Sequence, residues 1–112
     1  MTRDHVTFAD LERFAREAIA FAKRAGSFEA FEDDRLVQSA VLHHLMVIGE
    51  ATKRLSPSFR DRHSDIPWTK MAQMRDRLIH GYDNVDLGIV WGAVTEDIAG
   101  LLPQLRTLLE SL

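Results

Sequence analysis

The amino-acid sequence predicts an all-α protein, an up-and-down bundle of four main helices. Apolar residues recur at steps of three and four through nearly the whole chain, which is the period of a helix with one buried face. No stretch alternates polar and apolar residues over the length of a strand. With 112 residues and no linker or low-complexity tract, the chain is predicted to form a single domain over residues 1–112.

The first predicted helix has a narrow apolar stripe and a clear end. Gly26 directly follows the stripe, and glycine readily takes the left-handed conformation that closes a helix. Phe14 and Phe21 widen the stripe on one side. The stripe itself consists of Phe8, Leu11, Ala15, Ala18, Ala22 and Ala25.

The second predicted helix runs from about Glu32 to Leu55. Asp33 or Asp34 can cap its start, and Pro57 lies just beyond its end. The helix is apolar on two flanks, so that one can face the core and the other a partner chain. One flank is Leu36, Ala40 and Val47, and the other is Val37, Val41, Leu45, Ile48 and Leu55.

The third predicted helix starts near Pro67 and Trp68. Before it, the sequence Ser56–Ser58 predicts a capped short turn, because serine accepts from an early helical N–H and proline loses no needed donor at the first position. The helix is expected to end at His80, since Gly81 can close it.

The fourth predicted helix has the most regular spacing in the chain. Asp83, Asn84 and Asp86 offer a turn and an N-cap before it. Pro103 removes a backbone donor and crowds the preceding turn, so a kink or break is expected near Gly100. The apolar seam of this helix is Leu87, Trp91, Val94, Ile98, Leu101, Leu105, Leu108 and Leu112.

Composition excludes several classes of protein and of site. The chain has no cysteine, which rules out disulfides, thiol nucleophiles and thiolate metal sites. Its longest nearly apolar stretch, residues 87–94, is far below the ~18 residues that a membrane helix needs, and its start lacks a signal-peptide core. A cytoplasmic protein without membrane contact is expected. His43 and His44 point about 100° apart on a helix and cannot chelate together, so no metal site is expected. No other cofactor is expected either.

The distribution of charge says more than its total. A net charge of −3 argues at first against a nucleic-acid binder. Residues 1–52 sum to −3, residues 53–77 to +4 and residues 78–112 to −4. The middle block can attract phosphate, or it can be the solvated face of amphipathic helices. Its cations are Lys53, Arg54, Arg60, Arg62, Lys70, Arg75 and Arg77.

Directly at the end of this block, residues 74–82 place Arg, Asp, His and Tyr together. Asp76 and His80 are four residues apart and therefore neighbours on one helical face, while Arg75 needs its long side chain to converge with His80. The helix dipole and Asp76 would both raise the pKa of His80, as proton transfer near neutrality requires. Arg75 offers a planar, permanent charge for phosphate oxygens.

A histidine and an arginine without a metal cage suit metal-independent RNA cleavage, in which the ribose 2′-hydroxyl attacks the adjacent phosphorus. His80 would move the proton and Arg75 would hold the phosphate. One histidine cannot be base and acid at the same instant. A dimer that brings two copies of each residue into one cleft is therefore the more sensible arrangement.

The motif resembles the signature of the HepT-like ribonuclease toxins of the HEPN superfamily: Arg, four residues, His, one residue, Tyr. Here these are Arg75, His80 and Tyr82. The resemblance covers nearly the whole chain, and it includes the residues Ile48–Ala51, Ile66–Trp68, Val85–Leu87 and Trp91.

The resemblance implies an α-helical homodimer with a composite cleft that acts as a metal-independent endoribonuclease toxin. It also implies an antitoxin of the minimal nucleotidyltransferase type, which transfers AMP to the tyrosine that corresponds to Tyr82 and so blocks RNA by charge and bulk. Many relatives carry Asn where this chain has Asp76. That acid either weakens RNA binding or orients His80.

The site residues predicted from sequence are catalytic Arg75, His80 and Asp76, with Tyr82 as the modified residue. Other interpretations remain for each: a satisfied helix-terminal histidine, a surface ion pair of Asp76 with Arg77 or Arg75, and a tyrosine that only packs on the turn. The RNA backbone would be held by Arg77, Lys70, Lys53 and Arg54.

Glu50 and several large apolar side chains have predicted roles outside the motif. Glu50 either supports the site by pairing with an arginine across the cleft or lies at the helix edge. Trp68, Trp91, Met71 and Met74 are interpreted first as packing residues.

The alternative to an RNase is a non-catalytic partner subunit of a nucleotidyltransferase that binds or presents its substrate, and a third possibility is a plain dimeric scaffold.

Overall fold

The computed structural model describes residues 2–79 and 84–112, and it confirms an all-α protein over those ranges. None of its helices combines the length and apolarity needed to cross a membrane within these ranges. The helices are α1 (Arg3–Ala25), α2 (Phe28–Glu32), α3 (Arg35–Arg54), α4 (Pro57–Arg62), α5 (Trp68–Ala72), α6 (Met74–Leu78), α7 (Leu87–Gly92) and α8 (Ala99–Ser111), and a π-helical segment, Ala93–Ile98, joins the last two.

Helix α1 has the boundaries that its sequence favours. The Thr2 side chain caps it by accepting from the His5 N–H, and Gly26 ends it with a φ of 87°, in the left-handed region. The predicted stop at Gly26 is confirmed. Each apolar residue of the stripe from Phe8 to Ala22 is buried, and these residues face α3.

Helices α1 and α3 are antiparallel, as two sets of contacts between them establish. Asp4, at the start of α1, accepts hydrogen bonds from Ser56, just beyond α3, at 2.9 Å from its N–H and 2.6 Å from its hydroxyl. Farther along, Glu17 reaches His44 at 3.0 Å. The hydroxyl and N–H of Ser56 hold the pKa of Asp4 below its usual range.

The second predicted helix is confirmed from Arg35 onward, but its start is not at Glu32. Residues 28–32 form the separate helix α2, which Ser27 caps, and Asp34 caps α3 by accepting from Val37. The two apolar flanks separate as the sequence predicts. Val37, Val41, Leu45, Ile48 and Leu55 are buried, whereas Leu36 is 81% exposed and Ala40 and Val47 are half-buried.

The third predicted helix is wrong in two respects. It is divided into α5 and α6 by Gln73, whose backbone lies outside the helical region, and it ends at Leu78 rather than His80. Ile79 is already extended and pairs with Val85 in an isolated antiparallel bridge. Both short helices pack against α3, and the break between them lets Met71 and Met74 be buried together. The Ser56–Ser58 turn is the start of α4, capped by Ser56 as predicted.

The fourth predicted helix is continuous where a break was expected. Asp86 caps it as predicted, by accepting from Ile89 at 3.0 Å. The break expected near Gly100 and Pro103 is wrong, because α8 runs through both residues, whereas a kink there stays a prediction. The irregular turn lies earlier, in the π-helical segment, where the Thr95 hydroxyl donates to a backbone carbonyl one turn back at 2.7 Å and so competes with the helical backbone bonds.

Candidate functional site

Helix α6 carries the described part of the motif on its exposed side. Met74 and Leu78 are buried at 2% and 0% exposure and anchor the helix. Between them Arg75, Asp76 and Arg77 are all exposed. Among the described residues, no ion pair includes Arg75 or Asp76. The arginine predicted to bind phosphate is therefore accessible to a ligand on a well-anchored helix.

His80 and Tyr82 lie outside the described residues. Helix α6 ends at Leu78 and Ile79 is extended, so the predictions that place Asp76 beside His80 and that raise the pKa of His80 stay predictions. An antiparallel bridge pairs Ile79, just after α6, with Val85, just before α7.

Gly49 lets the end of α5 and the start of α6 approach α3 closely. A Cβ at this position would lie 3.2 Å from the Met71 carbonyl oxygen, 3.5 Å from the Met74 Cβ and 3.7 Å from the Ala72 carbonyl oxygen. The first of these distances is shorter than an ordinary van der Waals contact, so glycine favours this close approach. The Ile48–Ala51 block therefore acts on the site indirectly, because it sets the position of the helix that carries Arg75.

Lys70 and Arg77 share a cleft of about 170 Å³ between α5, α6 and the π-helical segment. The floor of this cleft includes Met71 and Met74. Arg77 is not an isolated cation, since its guanidinium lies 3.5 Å from the Asp97 carboxylate. Both side chains are about half exposed, at 42% and 50%, so the pair is a weak surface interaction that a phosphate can replace.

Glu50, Lys53 and Arg54 lie on the exposed side of α3 at its carboxyl end. Within the described residues, the Glu50 carboxylate pairs with Lys53 at 3.4 Å rather than with an arginine. This contact partly offsets the charge of one residue predicted to bind RNA. Arg54 is exposed in the last turn of α3.

A larger cleft, which the sequence analysis did not single out, lies between α4 and α5. Its volume is about 560 Å³, and Arg60, Trp68 and Lys70 are among its lining residues. Trp68 is 7% exposed and donates its indole N–H to the carbonyls of Arg60 and His63 at 3.1 and 3.0 Å. Its interpretation as a packing residue is confirmed. The membership of Arg60 in the basic block was visible in the sequence, but its place at a cleft was not.

His43 and His44 point in different directions, as adjacent helical residues should. His43 is exposed, whereas His44 packs against Phe14 and Phe21 and lies 3.0 Å from Glu17. The hydrogen bond to His44 is the main cause that lowers the pKa of Glu17. Within residues 2–79 and 84–112, no three His, Asp or Glu side chains are grouped to hold a metal ion.

The sequence matches one protein family over most of its length. Residues 10–112 match the family described as Ribonuclease HepT-like. A protein of Thermococcus cleftensis named "Probable ribonuclease HepT" is 42% identical over 101 residues, which cover 90% of this chain and 92% of that protein. A protein of Caldanaerobacter subterraneus subsp. tengcongensis named "Putative RNase TTE0752" is 40% identical over 84 residues, 75% of each chain. No solved structure matches the chain.

Proposed function

Because this chain belongs to the HepT-like ribonuclease family, we propose that it is a metal-independent endoribonuclease and the toxin of a toxin-antitoxin system. The observation that carries the proposal is the family match over residues 10–112, which includes the full Arg75, His80 and Tyr82 motif. Exposure of Arg75 on the anchored helix α6 supports it, because an arginine that holds substrate phosphate has to be accessible.

In the proposed reaction the 2′-hydroxyl of a ribose attacks the adjacent phosphorus. The 2′-oxygen forms a bond to phosphorus as its proton goes to one histidine, and the bond to the 5′-oxygen of the next nucleotide breaks as that oxygen receives a proton from another. The products are a 2′,3′-cyclic phosphate and a free 5′-hydroxyl. Arg75 stabilises the charge that develops on the phosphate oxygens, and loss of one such donor typically slows a reaction by about 10²–10³-fold.

The proposed site is composite, formed by two copies of the chain. The reaction needs a base and an acid together, and each chain supplies one motif histidine, His80. The flank of α3 that carries Leu36 is the surface proposed for the second copy, because Leu36 is 81% exposed and this apolar flank is the one that does not face the core. Ala40 and Val47 continue this flank and are half-buried in the single chain.

The remaining predicted residues are assigned to substrate binding and orientation. Lys70 and Arg77 line one cleft beside α6 and would hold the RNA backbone, with Arg77 exchanging Asp97 for a phosphate. Lys53 and Arg54 would extend this contact along α3. Asp76 is proposed to orient His80 from α6, and Glu50 to support the site through Lys53, with which it pairs.

RNA cleavage by the purified protein in EDTA tests the activity. We expect the wild-type chain to cut single-stranded RNA and the His80→Ala variant to be inactive while it remains folded. His5→Ala is the matched control, because His5 lies at the start of α1, outside the motif and away from the α3 flank proposed as the dimer surface. Cleavage that survives His80→Ala would refute the site. A wild-type protein that neither cuts RNA nor slows growth would instead favour the non-catalytic partner subunit of a nucleotidyltransferase.

The proposed silencing is transfer of AMP to Tyr82 by a nucleotidyltransferase antitoxin. Each AMP adds a phosphate charge and a base, which would repel and obstruct RNA at the motif. Tyr82 is the one tyrosine of the chain, so intact-mass analysis after reaction with the partner and ATP reports directly on it. We expect a mass increase that Tyr82→Phe abolishes. AMP on the Tyr82→Phe variant would place the modification on another residue.

A further inference from the structure

The cleft between α4 and α5 is a built recess. Its volume of about 560 Å³ falls within the range of about 300–1,000 Å³ that is usual for small-molecule sites. The indole N–H of Trp68 donates to the carbonyls of Arg60 and His63 and ties the chain between the two helices to the cleft floor. The backbone that carries the lining side chains is therefore held in place before any ligand arrives.

Arg60 brings an unsatisfied donor to this cleft. Its Nε is buried and has no hydrogen-bond partner among the described residues. A buried Nε is out of reach of a ligand in the cleft, so a phosphate contact falls to the two terminal nitrogens, Nη1 and Nη2. Neither of these is among the buried atoms, and neither forms a hydrogen bond with the described residues. Arginine presents its N–H groups as a planar fork that matches the oxygens of a phosphate. The guanidinium end of Arg60 is therefore well suited to a phosphate oxygen of a ligand.

The charges of the lining favour a monoanion. Arg60 and Lys70 supply two positive charges, and Asp61 supplies one negative charge. Among the described residues neither cation forms an ion pair. A net charge of +1 matches a phosphodiester, which carries one negative charge, better than a phosphate monoester, which carries nearly two at neutral pH.

The cleft adjoins the one beside α6. Lys70 and Pro67 line both, and Arg77, on the same helix as Arg75, lines the second. A strand with one phosphate at Arg60 can thus follow a cationic route past Lys70 to α6.

We propose that Arg60 and Lys70 form a subsite that binds a phosphodiester of the RNA strand, separate from the phosphate that is cleaved. This inference rests on the proposed ribonuclease function and adds a residue, Arg60, that the motif does not contain. Its effect is on substrate binding, so its loss raises KM on long RNA.

Binding of a 2′-O-methyl oligoribonucleotide, followed by fluorescence anisotropy, tests the subsite. This strand lacks the attacking hydroxyl and cannot be cut, so the result does not depend on whether the protein is a nuclease. Arg60→Gln should weaken binding about tenfold, as expected for a lost charge-assisted hydrogen bond. The slope of log affinity against log salt should become shallower by about 0.7, the value for one phosphate of a single strand.

Arg62→Gln is the matched control, because Arg62 is an exposed arginine of the same helix that does not line the cleft. It should change affinity by about twofold or less. Equal losses in Arg60→Gln and Arg62→Gln would overturn the subsite and leave only general charge attraction. Lys70→Gln provides a second variant should Arg60→Gln not fold, and an unchanged affinity in that variant would overturn the subsite as well.

A second measurement locates the ligand and identifies its source. In a Trp91→Phe background Trp68 is the sole tryptophan, and the oligonucleotide should change its fluorescence. Inorganic phosphate at the same concentration should neither reproduce that change nor displace the strand. If inorganic phosphate does both, the cleft is a free-anion site and the assignment to RNA is wrong. An unchanged Trp68 signal on binding would also overturn it.

Discussion

Two glycine-to-alanine substitutions separate the packing role of Gly49 from the general cost of glycine in a helix. Both Gly49 and Gly100 lie within helices, α3 and α8. At Gly100 nothing lies within 4 Å of an added Cβ, whereas at Gly49 the Met71 carbonyl oxygen lies at 3.2 Å. The contact is with backbone, which cannot rotate away as a flexible side chain can. The two variants therefore share the helix effect and differ in the packing effect.

The magnitudes follow from these two effects. Alanine stabilises a helix interior over glycine by about 1 kcal/mol, so Gly100→Ala should be more stable than the wild type by about that amount. An added methyl group in a tightly packed contact costs about 1–3 kcal/mol. Gly49→Ala should therefore range from neutral to about 2 kcal/mol less stable than the wild type, and the difference between the two variants should be about 1–3 kcal/mol.

Urea unfolding of both variants at one protein concentration measures this difference. The concentration must be fixed because dimerisation would add to the apparent stability. Gly49→Ala should also lower RNA cleavage under conditions where it is fully folded, since a shift of α5 and α6 moves Arg75. If Gly49→Ala and Gly100→Ala stabilise the protein equally, the close approach does not constrain α6, and the positional role of Gly49 is refuted.

Two further predictions concern the hydrogen bonds between Asp4 and Ser56 and the exposed flank of α3. Hydrogen bonds from Ser56 lower the pKa of Asp4, so they stabilise the fold above the usual carboxyl range of about pH 4, and this stability is lost as the pH falls through the lowered value. Asp4→Asn should be less stable at pH 7 and should lose less stability on acidification, as measured by urea unfolding at both pH values. Leu36→Glu should give a folded monomer in analytical ultracentrifugation, because Leu36 is 81% exposed within the chain. A Leu36→Glu protein that remains dimeric would exclude this flank as the interface.

Local signals predicted the parts of the fold that depend on them. Gly26, Asp34, Ser56 and Asp86 each end or begin a helix as predicted, because a left-handed glycine or a side-chain cap acts over three or four residues. The two apolar flanks of α3 were also predicted, since spacing alone determines which residues share a face, but only the structure shows which flank is buried.

The errors arise where a tertiary contact overrides the local pattern. The division of the third predicted helix at Gln73 accompanies the packing of two short helices around Gly49. No helix-breaking residue near Gln73 predicts this division. The π-helical segment likewise was not predicted from Pro103, the residue that suggested a break, and it lies earlier in the chain, where the Thr95 hydroxyl donates to a backbone carbonyl. Proline costs a helix one donor and some crowding, and the packing of α8 against α1 compensates for both.

For the candidate site, the sequence predicted a block of positive charge but not the ion pairs that its cations form. The charge block from residue 53 to residue 77 was visible as a sum, but a sum does not show which cations are available. Within the described residues, Lys53 is paired with Glu50 and Arg77 with Asp97, whereas the other five cations of the block are without ion-pair partners. These are Arg54, Arg60, Arg62, Lys70 and Arg75.

Under the proposed function, three of these cations, Arg60, Lys70 and Arg75, would bind RNA on an otherwise acidic protein. Arg60 and Lys70 line one cleft, Lys70 also lines the next, and Arg75 is on the helix that forms its wall. Attraction over the rest of the surface is weak because the net charge of the chain is −3. A protein with this distribution selects its ligand by the geometry of a few phosphate contacts rather than by its overall field. The affinity for RNA should then depend on a few counterions and not on many.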